Sequence, residues 1–337
     1  MDADWIVIGA GVSGARLTHH LYNAGQRVIV LEKSRGLGGR LCHRRSEHGR
    51  FLHGLQYVHL RDPKSLEIME PWLKVPHAHR VGSLGFRTID GVLLNANHAS
   101  RFQFFPETST FCREWTEGAT VHRQTRVNRI AFDGEMWTVT TDDQQYRAPH
   151  LASSIPFSQL LEIVPATLRE TLETEHSIEE SPSCSVMFRT HTPRQLPNNW
   201  QGLFFEADSN GPVRFLLNQA SGDGLHWTAV LDTEWADENW KVENSDVLSA
   251  VLTHLSDVFG TTMTATDIEW ANIHWWKYAF SRPLTPSPKQ IYPDWNLALV
   301  GDGFGDSGKG FEAALLSVER IAVNTIEMTQ RISHSLD

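Results

Sequence analysis

WIVIGAGVSGARLTHHLYNAGQRVIVLE, Trp5 to Glu32, decides the fold. WIVIGA (5–10) is an apolar run of strand length, the segment from about Gly14 to Ala24 reads as a helix, and RVIVLE (27–32) reads as a second strand. A strand, a helix and a strand within about thirty residues make a right-handed parallel crossover. Gly9, Gly11 and Gly14 stand between the first strand and the helix as G-x-G-x-x-G. Gly9 allows a tight turn, Gly11 lets a pyrophosphate approach the backbone, and Gly14 permits close packing of helix on strand. The phosphates would sit at the helix N-terminus beside Val12 and Ser13, where free N–H groups and the helix dipole favour an anion. Glu32, followed by Lys33, lies 18 residues after Gly14. An acid there accepts hydrogen bonds from ribose hydroxyls and repels a 2′-phosphate. The unit reads as a dinucleotide site, with NAD and FAD both open.

The next loop, RGLGGRLCHRR (35–45), packs three glycines and four arginines into eleven residues. Gly38 and Gly39 would let the backbone run close to an extended cofactor, and Arg40 could pair with its pyrophosphate as a bidentate donor. Arg35, Gly36, Gly38, Gly39 and Arg40 resemble the R-x-G-G-R signature of the amine oxidase and protoporphyrinogen oxidase superfamily of FAD proteins. More narrowly, EKSRGLGGRLCHRR with GLQYVHLRD (54–62) is similar to the renalase family. IHWWKYAFSRPL (273–284) and GDGFGDSGKGFEAALLS (301–317) are similar to later blocks of that family.

The resemblance implies an α/β protein: an FAD-binding Rossmann-like domain of glutathione reductase type, with p-hydroxybenzoate hydroxylase-like topology and an inserted α+β substrate domain. The expected FAD domain is discontinuous (1–62, 106–158 and 291–337), and 63–105 with 159–290 form the substrate domain. Non-covalent FAD would touch Gly9, Gly11, Val12, Ser13, Gly14, Glu32, Lys33, Gly38, Gly39, Arg40, Gln56, Val127, Gly301, Asp302, Gly310, Phe311 and Glu312. Asp302 falls to the ribityl–pyrophosphate region, and Phe311 and Glu312 to the pyrimidine edge. Apart from the resemblance, a helix starting near Gly310 would aim its N-terminus at the partial negative charge on the reduced flavin's N1 and O2.

This chain departs from the pattern near the expected flavin ring. Leu55 and Val58 replace an alanine and a phenylalanine, His53 precedes Gly54, Glu107 stands where a glycine follows the proline of FFPETS (104–109), and Lys309 and Phe311 alter the last block. On the substrate side, His274, Trp275, Trp276 and Tyr278 concentrate aromatic surface that suits a planar ligand stacked on a flavin. His53, Gln56 and Tyr57, with His274, Trp276 and Tyr278, are the catalytic candidates. Trp270 and Trp295 read as core.

The 337 residues carry a formal net charge of −10, which argues against nucleic acid as the main partner. No apolar run reaches the length of a membrane span, and strand-like sequence begins at once, so a cytoplasmic protein acting on a small molecule is expected. Cys42, Cys112 and Cys184 have no disulfide or metal spacing, and the pairs His19–His20 and His77–His79 lack companion ligands, so no metal is expected. Oligomeric state stays open.

The expected chemistry is hydride transfer from a small planar substrate to flavin N5, with O2 as acceptor giving H2O2. The renalase resemblance makes dihydro-NAD(P) isomers the substrates. Alternatives are a flavin amine oxidase or desaturase of the same superfamily, and an FAD-binding partner protein without oxidase turnover. An NAD-dependent dehydrogenase would leave the GGR loop and the GD block without a role.

Overall fold

The computed structural model of the chain describes residues 2–75, 78–96, 101–104, 108–207, 211–219, 223–306 and 310–333. The opening stretch folds as a strand Trp5–Ile8, a helix Val12–Asn23 and a strand Val28–Glu32. The two strands pair in parallel, Trp5 opposite Val28 and Ile8 opposite Leu31. Around them runs a six-stranded sheet in the order Thr120–Arg123, Val28–Glu32, Trp5–Ile8, His150–Ser153, Leu297–Leu299, Ile291–Tyr292. Five strands are parallel and the last is antiparallel.

Strand side chains alternate between faces, and this sorts two cores. Ile6, Ile8, Leu151, Leu297 and Leu299 pack with the hairpin sheet Val127–Phe132, Trp137–Thr141, Gln145–Ala148. Trp5, Val7, Val30, Ala152 and Val300 pack with Leu17 and Leu21 of the first helix and with Val318. Burial on both faces explains why the parallel strands are continuous apolar runs.

A mixed seven-stranded sheet lies beyond, ordered Ile268–Pro283, Ile178–Thr190, His226–Leu231, Val213–Asn218, Gly202–Phe205, Leu84–Arg87, Leu93–Asn95. One face buries Val186, Phe188, Leu203, Leu216 and Trp227 against Val247, Val251 and Leu255 of the helix Asn244–Phe259. That helix ends at Gly260, whose φ of 66° is the left-handed stop that glycine permits. The two longest strands, Ile178–Thr190 and Ile268–Pro283, pair antiparallel from Thr190↔Ile268 to Ile178↔Pro283. Their far end reaches the six-stranded sheet, where Gly303 packs near Ile178 and Ser281.

Pro165 forces extended backbone on Val164, so SQLLEIVPATLRETLE forms two helices, Phe157–Ile163 and Ala166–Glu175. From these helices Leu160, Leu168 and Leu172 are buried in the core of the six-stranded sheet. The last helix divides into Phe311–Glu319 and Ala322–Ser333 around Arg320, whose guanidinium is drawn to the carbonyls of Pro288 and Phe304. After the glycine loops comes a capped helix: Asp62 accepts from Lys64 N–H at 2.8 Å and Pro63 takes the first turn of Pro63–Leu73.

Among the described residues no helix is long and apolar enough to cross a membrane. His77, Glu107 and Lys309 lie outside the described residues.

Candidate active site

The glycine turn is built by close approaches. Gly9 has φ +95° and donates to Leu31 O at 2.9 Å. A Cβ on Gly14 would stand 2.0 Å from Gly9 O, so only glycine lets this helix sit on this strand. A Cβ on Gly11 would meet nothing within 4 Å. The turn therefore holds open space just where the helix N-terminus begins, with no acidic residue in its first turn. Ser13 spends its hydroxyl on Ala314 O at 2.8 Å, joining the first helix to Phe311–Glu319, while Val12 packs toward Phe111 and Leu315.

The second glycine loop folds onto the first. Gly38 donates to Ala10 O at 2.8 Å and bridges Gly11, and Gly39 lies with its Cβ position 3.4 Å from Gly11 Cα. Gly38 and Gly39 have φ of 106° and 54°, which suits glycine. Glu32 is 5 % exposed; its Oε2 accepts from Ala10 N–H at 2.9 Å and its Oε1 from Ser34 N–H at 2.8 Å. It thus fastens both loops and keeps further lone pairs for a ribose. Lys33 turns to Gln159 Oε1 at 3.3 Å. Val127 begins the hairpin sheet just after Thr125, which donates to Glu32 O at 2.9 Å. An open, N–H-rich turn beside a fixed acid fits the phosphates and ribose of a dinucleotide.

Arg40 is held from within the chain. Its Nη1 donates to Asp302 Oδ2 at 2.8 Å and to Ala279 O at 3.0 Å, and its Nη2 donates to Asp302 Oδ1 at 2.6 Å. Ser281 N–H also donates to Asp302 Oδ2, at 2.9 Å. Gly301, with φ 142°, turns the strand Leu297–Leu299 into this pair. The long strand Ile268–Pro283, the GGR loop and the GD turn therefore meet at a single carboxylate. They border a narrow slot also lined by Ser154, Pro156 and Phe304.

Next to it opens a cavity of about 450 Å³. Gly310, Phe311 and Glu312 form one side, at the start of the Phe311–Glu319 helix. Leu55, Gln56, Tyr57, Phe280, Phe86, Phe204, Phe205, Phe215 and Val230 supply most of the rest, with His59 and Arg214. Tyr57 meets Phe215 and Phe204 edge-on, with centroids at 5.6 and 6.3 Å, while Phe204 and Phe215 stack at 4.4 Å. Behind Tyr57 and Phe204 the Arg101 guanidinium sits 5.4 and 5.0 Å from their ring centres. Burial raises the Tyr57 phenol above its ordinary value, against the lowering effect of Arg101 and Arg61, so it stays a neutral donor. Gln56 ties its amide nitrogen to Gly54 O at 2.5 Å.

The six catalytic candidates separate in space. Gln56 and Tyr57 line the cavity; His53, His274, Trp276 and Tyr278 do not. His53, His274 and Trp276 pack on one another, with His53 4.8 Å from His274 and 5.4 Å from Trp276. Trp276 Nε1 and Ser185 Oγ both donate to His53 O, at 3.0 and 2.7 Å. Burial first, then the charges of His274, Arg44 and His43, push the His53 imidazole down to about 3. Cys42 Sγ lies 3.4 Å from His53 Nε2, and burial lifts that thiol to about 12. The three rings of His53, His274 and Trp276 pack as one unit, with Ile273 and Trp275 sent to the core of the seven-stranded sheet on the other face of the long strand. Tyr278 stands with Lys277 Nζ 5.0 Å from its ring. Trp270, read as core, is half-buried and stacks on Phe51 at 4.8 Å. The sequence reading missed Phe86, Phe204, Phe205, Arg214, Phe215 and Val230: they come from plain strands, and their aromatic content was the one available signal.

Comparison with known proteins agrees with this geometry. The family model for NAD(P)-binding Rossmann-like domains matches residues 7–71, and that for flavin containing amine oxidoreductases matches 102–306. UDP-galactopyranose mutase from Mycoplasma pneumoniae is 35 % identical over 83 residues, 23 % of this chain and 21 % of that enzyme, so the match spans about a fifth of the relative. Cyclohexylamine oxidase from Brevibacterium oxydans IH-35A superposes with a TM-score of 0.75 over 98 % of this chain and 100 % of that one, at 13 % identity. A protein assigned as a protoporphyrinogen oxidase from Exiguobacterium sp. 255-15 superposes at 0.71 over 95 % and 98 %, at 11 % identity. The chain belongs to the flavin containing amine oxidoreductase family.

Proposed function

We propose that the protein is a renalase-like oxidase that removes a hydride from a small planar substrate, a dihydro-NAD(P) isomer being the best candidate. The observation that carries this reading is the aromatic cavity beside Gly310–Glu312, whose lining among the described residues includes no serine, cysteine or lysine. Hydride removal needs position and electrostatics rather than a protein nucleophile. FAD, when bound, supplies the hydride acceptor and passes the two electrons to O2, giving H2O2.

The chain's own residues supply the rest. Gly9, Gly11 and Gly14, with Glu32, would hold the nucleotide half of the cofactor, and Gly38–Gly39 would let the chain pass close beside it. The Arg40–Asp302 pair would anchor the loop and turn that flank its middle. Phe311 and Glu312, at the helix start, would meet the polar edge of the ring. Tyr57, Phe204, Phe215 and Phe280 offer flat faces that orient a planar substrate and exclude water. Gln56 and the Tyr57 hydroxyl can hydrogen-bond its edge. His53, His274 and Trp276 support this wall as positioning residues, because they lie outside the cavity.

Amine oxidation is the second reading, favoured by the family match over residues 102–306. Oxygen consumption and peroxide yield with dihydronicotinamide isomers, set against those with primary amines, separate the two. The proposal expects peroxide with the former; turnover of amines alone would replace it with the second reading.

A further inference from the structure

A β-bulge places a guanidinium in the cavity. The strand Val213–Asn218 pairs with His226–Leu231 as Val213↔Leu231 and then Phe215↔Val230, so Arg214 is the extra residue at the register shift. In a regular strand neighbouring side chains point to opposite faces. A bulge re-aims one of them, and here Arg214 and Phe215 both line the same cavity.

Only part of that guanidinium is committed. Arg214 Nε lies 3.0 Å from Asp232 Oδ2, and its Nη1 is buried with no hydrogen-bond partner among the described residues. Asp232 is shared: its Oδ1 accepts from Glu234 N–H at 2.8 Å and Trp235 N–H at 3.2 Å, capping the helix Thr233–Glu238. The acid that lines the cavity, Glu312, is occupied too. Its Oε1 accepts from Arg61 N–H at 2.7 Å, from Asp62 N–H at 2.9 Å and from the Ser65 hydroxyl. Arg101, 8 % exposed, adds a second positive charge behind Tyr57 and Phe204. The cavity therefore joins flat aromatic faces to a guanidinium with an uncommitted donor.

We propose that Arg214 seats an anionic substituent, carboxylate or phosphate, carried by the planar substrate. This rests on the aromatic cavity being the substrate site, as proposed above, and it disfavours cationic amines as substrates. A guanidinium suits such groups because its planar fork donates two parallel hydrogen bonds.

The test is calorimetric titration of the FAD-loaded protein with benzoate, phenyl phosphate, benzamide and benzylamine, which share one ring and differ in charge. Wild type should bind benzoate, phenyl phosphate or both at least tenfold more tightly than benzamide or benzylamine; which anion leads identifies the group. Added salt should weaken the anions and leave benzamide unchanged. Arg214→Met should erase the preference, and Arg214→Lys should keep part of it. Equal binding of benzamide, tighter binding of benzylamine, no binding of either anion, or a preference that survives Arg214→Met would each overturn the proposal. Should Arg214→Met not fold, the salt dependence in wild type decides alone. Failure of the oxidase reading shows separately, as anion preference without reduction of the flavin by dihydronicotinamides.

Discussion

Arg40 and Asp302, 262 positions apart, close on each other through two parallel hydrogen bonds of 2.6 and 2.8 Å. The pair locks the glycine loop after the second strand to the turn after Leu297–Leu299. Arg40→Met would leave Asp302, 2 % exposed, without its counter-charge. Breaking such a buried pair costs roughly 3 kcal/mol, and thermal unfolding should register a loss of that order. Asp302→Asn, which keeps acceptor and shape, should lose less. Both should weaken FAD retention on gel filtration; unchanged stability in Arg40→Met would contradict the locking role.

The glycine turn gives a contrast between two adjacent substitutions. Gly14→Ala forces a Cβ to within 2.0 Å of Gly9 O and should destabilise the apoprotein by about 3 kcal/mol or more. Gly11→Ala meets nothing within 4 Å, so its apoprotein should unfold like wild type. The same methyl group would occupy the space proposed for the pyrophosphate, and FAD affinity should fall at least tenfold. Equal FAD affinity in Gly11→Ala would place the phosphates elsewhere.

Acid sensitivity follows from Glu319. Burial would raise its carboxyl, but hydrogen bonds from His20 and from Arg16, at 2.8 and 2.7 Å, reverse this and hold it at about 2, below the ordinary 4.5. A lowered acid stabilises the fold above its unfolded value and loses that contribution as pH falls from 4.5 toward 2. Glu319→Gln should cost about 3 kcal/mol near neutrality. The gap from wild type should close as the pH is lowered through that window, followed by urea unfolding.

His53 acts with the opposite chemistry. It is held neutral, with its value pushed from 6.5 to about 3 by burial and nearby positive charge. The unfolded chain takes up that proton at 6.5 and the folded chain does not, so wild-type stability should fall as pH drops from 6.5 toward 3. The loss is about 1.4 kcal/mol per pH unit from this one group. In His53→Gln that part of the slope should vanish, and a slope identical to wild type would show that His53 is free to protonate in the fold.

Local signals made the cofactor half legible. The first strand, helix and strand announce themselves by apolar runs and glycine spacing, because both faces of a parallel sheet are buried and the turn requires glycine at Gly9 and Gly14. The cavity was harder to read. Gln56 and Tyr57 are near the glycine loops in sequence, but Phe204, Phe215 and Arg214 arrive through pairing of distant strands. A bulge at Arg214 leaves no mark in the sequence, since it depends on which partner residue each neighbour faces. The block IHWWKYAF shows why aromatic density misleads: alternation sends Trp275 and Ile273 into the core of the seven-stranded sheet, and His274 and Trp276 toward His53. Arg40 and Asp302 were each singled out for the cofactor, and their mutual bond was invisible because nothing local encodes it.

The most direct measurement of the proposed function is a single turnover without oxygen. FAD-loaded protein is mixed anaerobically with dihydro-NAD(P) isomers in one arm and with primary amines in another, and the yellow absorbance of the flavin is followed. The account predicts rapid bleaching with a dihydronicotinamide isomer, return of colour with one equivalent of H2O2 when oxygen is admitted, and no bleaching by amines. Bleaching by amines alone, or by neither class, would contradict it.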